Sequence, residues 1–160
     1  MGSHAKDVRY ITEIKNGVFS KKENLKERIN EFDERRTEVE EGIARIPDDL
    51  PEELQQQVDV AVENARAELR SEADEIGEEA DVARNEADGA IDLARNMGSD
   101  LNQKAERFRG LSGLPLIGSF AETKASELSE RAEDMFDLAK ETQQYQDELI
   151  LERNKLYENR

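Results

Sequence analysis

Cysteine and tryptophan are absent from this 160-residue chain, and histidine occurs once, as His4. Without cysteine there is no disulfide framework, no thiol nucleophile and no zinc–thiolate site. A single histidine supplies neither a histidine-based triad nor a multi-histidine metal centre. Basic side chains are also short: 23 Lys and Arg stand against 39 Asp and Glu, a formal net charge of −16. Phosphate binding needs clustered cations, so this balance counts against nucleic acid as the main partner. It counts equally against anionic membrane surfaces. No apolar run approaches the roughly 20 residues that span a bilayer. The start lacks the charged stretch and apolar core of a cleavable signal peptide.

What the chain does contain is charge and spaced apolar residues. Charged residues make up 39% and hydrophobic ones 36%, a balance close to that of disordered chains. The apolar positions nevertheless recur at helical spacing, and only three prolines interrupt them. A helix buries only a stripe, so a helical assembly folds with fewer apolar residues than a globule. The expectation is an all-α protein, an elongated antiparallel bundle or coiled coil of three long helices. Met1-Gly2-Ser3-His4 reads as a cloning remnant. Residues 5–160 then form one elongated helical domain, with helices over about 5–46, 51–109 and 119–158. A break in the second near Gly98 makes the count four. The chain ends at Arg160 within a helical pattern, which reads as a fragment of something longer.

Each boundary has a local reason. In the first helix Leu25, Ile29, Phe32, Val39, Ile43 and Ile46 step mostly by four and three. Asn16-Gly17 reads as a turn, and Ser20 with Glu23 as a capping box that starts the helix proper. Pro47 ends it, and Pro51 with Glu52 and Glu53 suits the start of the next. The second seam is unusually small in its middle: Ala80, Ala83, Ala87, Ala90 and Ala94. It can pack within the molecule or form a groove for another protein's helix. Met97-Gly98-Ser99-Asp100 is its weakest point, since glycine costs about 1 kcal/mol in a helix interior. The third seam runs from Ala121 to Leu156 and widens toward its C-terminal end, as for a helix facing two neighbours.

Between the second and third helices lies the strongest anomaly. Residues 110–120 hold three glycines, one proline and five large apolar residues, with no charge. Ser119 reads as the cap of the third helix, with Glu122 three residues on. Two placements are open for the leucines here. They can fold back and plug the bundle, or they can stand exposed as a contact for a partner protein or membrane. In the second placement Phe108, Leu111, Gly113, Leu114, Leu116, Ile117 and Phe120 are the partner-binding residues.

Catalysis finds no machinery. Glu72, Glu75, Glu79 and Glu86 share helical spacing, but the Glu-x-x-His motif of di-iron bundles is missing. Asp81 to Gly89 lacks the alternating oxygen ligands of a calcium loop. The glycines of residues 110–118 lack the lysine and strand of a phosphate loop. Ser112 and Ser119 have no base partner. The expectation is no enzyme, no cofactor and no metal. Thr142, Gln146 and Arg153 read as register-setting polar positions in the third seam.

Two helices joined by a short glycine-containing break, in an acidic chain, resemble the helical-hairpin substrates of type VII secretion. Leu111-Ser112-Gly113 is similar to the Leu-Xaa-Gly signature of the larger toxins on that route. The likeness covers the last two helices. The Trp-x-Gly turn is missing, and position 149, four residues after Tyr145, is Leu instead of an acid. Pro115-Leu116-Ile117-Gly118 resembles the apolar break in helical pre-toxin regions. The resemblance implies a targeting or adaptor region of a bacterial secreted effector. Such a chain is cytoplasmic before export and leaves without a cleavable signal. Leu111 and Gly113 would then belong to the contact with a helical partner. The alternatives are a self-associating coiled-coil scaffold forming homo-oligomers, and a membrane-active protein touching lipid only through the apolar turn.

Overall fold

Burial of apolar side chains carries α1 and α2 through the points where local signals predict a turn or a break. The computed structural model describes residues 2–158 as three α-helices: α1 (Gly2–Ala44), α2 (Glu52–Arg109) and α3 (Gly118–Lys155). Among the described residues there are no strands. The 58 residues of α2 make it about 87 Å long at 1.5 Å per residue.

The predicted turn at Asn16-Gly17 and the capping box at Ser20 are both absent, because α1 runs through them unbroken. Ile11 and Val18, on either side, are fully buried, and their seven-residue step continues to Leu25. Their packing outweighs the cost of one exposed glycine. The predicted break near Gly98 is likewise not formed, and α2 is continuous. Gly98 is buried and takes the ring of Phe136 against its backbone; a Cβ there would stand 2.8 Å from the ring. Gly77 does the same for the hydroxyl of Tyr157. These glycines are notches for aromatic side chains. The third helix begins at Gly118, so Ser119 lies inside its first turn and does not cap it. Ile117 occupies the cap position without a side-chain hydrogen bond.

Ion pairs give the helix directions. Lys15 pairs with Glu141 at 2.8 Å and Lys22 with Glu148 at 2.7 Å, both across 126 residues. That constant offset makes α1 and α3 run the same way. Arg28 pairs with Glu79, Arg35 with Glu72, and Arg66 with Glu40, so α1 and α2 run in opposite directions. Arg153 meets Asp81 at 2.9 Å, and Gln146 reaches the carbonyl of Arg84 at 3.0 Å, which sets α3 against α2 in the same sense. Short connections between α1 and α2 and between α2 and α3 force this alternation.

The core has two centres. Leu25, Ile29 and Phe32 of α1 meet Ile76, Ala80 and Ala83 of α2 and Leu149 and Leu156 beside them. Ile11 meets Ala90, Ile91, Ala94, Met135 and Ala139. The small α2 seam is therefore consumed inside the bundle, and the groove for another protein's helix does not exist there. Thr142 is buried in the third seam and returns its hydroxyl to the carbonyl of Leu138 at 2.7 Å. Gln146, also buried, donates to both Arg84 and the Asp88 side chain.

Candidate interaction site at the helical tip

Where α2 meets α3 the chain cannot use a long loop, and it reverses through overlapping tight turns. The amide of Leu111 donates to the carbonyl of Phe108 at 3.0 Å, Ser112 to Arg109 at 3.2 Å, and Leu114 to Leu111 at 3.1 Å. Gly118 donates to Leu114 at 2.9 Å, and Ala121 to Ile117 at 2.8 Å, opening α3. The Ser112 hydroxyl adds a bond to the Arg109 carbonyl at 2.7 Å. Six of the nine residues 110–118 thus take part in a backbone bond, which ties the two ends of the reversal together.

One glycine makes this closure possible. A Cβ on Gly118 would collide with the carbonyl of Ser112, the point where the two ends of the tip pass. Gly113 has open space around it, and no glycine here adopts positive φ. Of the two residues singled out by the Leu-Xaa-Gly likeness, Gly113 is thus sterically unconstrained. Gly118 was not among the expected site residues. Its signal in the sequence was only its place after Pro115-Leu116-Ile117.

The leucines do not fold back to plug the bundle. Leu116 is 97% exposed and Phe120 57%, and Leu111, Leu114 and Ile117 are exposed as well. Phe108 is half-buried and sets its ring edge against Phe120, with centroids 6.4 Å apart. Below this apolar crown Ala105, Ala121 and Ala125 are buried and bring α2 and α3 together. The expected partner-binding residues therefore do gather on one end of the molecule. Elsewhere the exposed apolar side chains, such as Tyr10, Leu54, Val60, Val82 and Leu151, are scattered along the helices.

The electrostatics of the tip differ from the rest of the chain. Residues 110–121 carry no charge, and the cations on either side, Lys104, Arg107, Arg109 and Lys124, stand among as many acids, Asp100, Glu106, Glu122 and Glu127. Arg109 pairs with Glu106 and also reaches the Ser129 hydroxyl. Lys124 pairs with Glu127 at 3.3 Å and stands 5.9 Å from the Phe120 ring centre. Arg107 makes no ion pair among the described residues. Lys104 pairs with Asp100 at 3.1 Å. The end of α2 and the start of α3, residues 100–127, are together neutral in a chain that is acidic elsewhere.

Among the described residues no group of three His, Cys, Asp or Glu side chains is placed to hold a metal ion, and no helix is long and apolar enough to cross a membrane. The concave features are surface grooves between helices, such as the one lined by Phe32, Arg36, Leu69 and Leu156 where α3 ends. No known protein family, curated protein or solved structure matches this chain.

Proposed function

We propose that the chain is a non-enzymatic helical interaction module that docks end-on, through the tip of the α2–α3 hairpin. The observation that carries this reading is the ordered exposure of Leu116 and its apolar neighbours at one end of an otherwise highly charged rod. Contiguous exposed apolar side chains are costly to keep in water and usually mark a contact surface. The heptad-like steps of the seams support reading the bundle as an antiparallel coiled coil whose task is to hold that tip away from its other end. Leu111-Ser112-Gly113 lies within the same tip. A targeting or adaptor role in a bacterial secreted effector, with a helical partner, would therefore use the same contact.

A photo-crosslinking side chain tests the reading in cells that express the chain. Placed at position 116, it gives adducts; placed at the exposed position of Val60, near the opposite end of α2, it gives far fewer. Adding Ile117→Glu to the position-116 variant removes the adducts without lowering helix content. Equal labelling at both positions would defeat the docking role of the tip.

A further inference from the structure

We infer that residues 33–72, the part of the α1–α2 hairpin beyond the end of α3, form an arm that opens as one unit while the three-helix body stays closed, with Arg36 as the clasp at its base.

Burial marks where the body ends. Phe32 of α1, Ala73 of α2 and Leu156 are buried in one cluster. Between Phe32 and Ala73 no residue of the chain is buried. Val39, Ile43, Val58, Val62 and Leu69 recur at helical spacing there, but each is only partly buried, because two helices without a third leave one side of the stripe to water. The lack of a third helix is not enough by itself. At the other end α2 and α3 also run on alone, since the 126-residue offset sets Gly2 level with residue 128. There Ala105, Ala121 and Ala125 are buried, because small side chains let the two backbones approach closely.

Three features weaken the arm further. Its α1 stretch, residues 33–44, has 12 residues, about the length at which an isolated helix is marginal in water. Gly42 stands in that stretch with nothing near its Cβ position, so it adds chain entropy and no packing. Residues 33–72 also hold 13 acids against five arginines, which puts half of the net charge of −16 on a quarter of the chain. Four of the arginines are already taken, Arg35 by Glu72, Arg36 by Asp33, Arg66 by Glu40 and Arg70 by Glu63. Nine acids of the arm have no ion pair among the described residues, and they repel one another. Segments with few buried apolar contacts open locally, in cooperative units.

Arg36 is placed to stop that opening at the body. Its Nη1 donates to the carbonyl of Leu156 at 3.1 Å, an acceptor that the end of α3 leaves open. Its guanidinium lies 5.4 Å from the ring centre of Phe32. The side chain thus ties α1 to the end of α3 at the last buried layer.

Amide hydrogen exchange of the full chain, read residue by residue, tests this. Amides 37–44 and 55–70 exchange at least about tenfold faster than amides 76–98, and share one opening constant. Gly42→Ala, a change on α1, slows the arm amides of α1 and α2 alike, by about threefold. Gly89→Ala, in the body, slows amides 76–98 and leaves those of the arm unmoved. Arg36→Met speeds exchange at 150–155, the end of α3, at least about fivefold. Circular dichroism shows that all three variants keep the helix content of the wild type. Protection of the arm equal to that of the body overturns the inference. So does protection that falls off gradually toward residues 45–51 with Gly42→Ala acting on α1 alone, which is fraying and not one unit. An end of α3 unmoved by Arg36→Met removes the clasp.

Discussion

Gly118 and Gly89 are the same residue type with opposite tolerance for a methyl group. Gly89 sits in an exposed stretch of α2 with open space around its Cβ position, so there its only effect is the entropic cost of glycine in a helix. Gly89→Ala should raise stability by about 0.5–1 kcal/mol. Gly118 is where the Ser112 carbonyl passes, and backbone cannot swing aside as a side chain can. Gly118→Ala should lower stability by about 1–3 kcal/mol, as overpacking does. It should also open the tip. Urea unfolding of the two variants beside the wild type checks the signs, and equal changes would show that Gly118 is not required for closure. By helix propensity alone Gly77, Gly89 and Gly98 are equally weak points. What separates them is the atom that faces each one, which spacing along the chain does not reveal.

Among the elements, α1 is tied to α3 by ion pairs as well as by its apolar seam. Its seam is polar at the level of Lys21 and Lys22, between Val18 and Leu25, and ion pairs to α3 help to hold it. Lys22 bonds to Glu148, which holds the carboxyl below the ordinary carboxylate value of 4.5, and the lysine above 10.5. A carboxylate with a lowered folded value stabilises fully above 4.5, and the effect is lost as pH falls through the folded value. A lysine with a raised value stabilises fully below 10.5, and the effect is lost as pH rises through its folded value. The pair thus supports α1 between those limits. Glu148 is well exposed, so solvent screening limits the coupling to less than about 1 kcal/mol. A double-mutant cycle with Lys22→Met and Glu148→Gln should show that coupling at neutral pH and lose it as pH falls through the lowered folded value of Glu148. Coupling that persists in acid would mean that the two residues interact through packing alone. The stripes, the short connections and the polar punctuation of these elements were legible in the sequence. The missing turn at Gly17 and the missing break at Gly98 were not, because burial of Ile11 and Val18 and the Phe136 notch decide them.

For the whole molecule the question is what the seams have left over. The alanine run of α2 is spent on its own chain, which removes the largest surface on which copies could pair. Opposed acidic bodies also repel. Sedimentation equilibrium at high concentration should therefore return the monomer mass of 18.2 kDa. A dimer that dissociates on replacing Leu116 with Glu would instead make the tip a self-association surface. The overall charge of −16 turns out to describe the sides of the rod. At the α2–α3 end the charges balance, so the acidic repulsion is absent there.

The sequence alone determined that the chain is helical, roughly where its helices lie, and that residues 110–120 are the odd segment out. Those properties follow from residue spacing and turn chemistry, which act over a few positions. Tertiary structure decided which glycines are notches, that the alanine seam faces inward, and that the apolar turn stands in solvent. Each of these depends on atoms brought together from distant parts of the chain. The exposure of Leu116 is set by the reversal of α2 onto α3, and the notches exist only because Phe136 and Tyr157 of the last part of the chain meet Gly98 and Gly77 of α2.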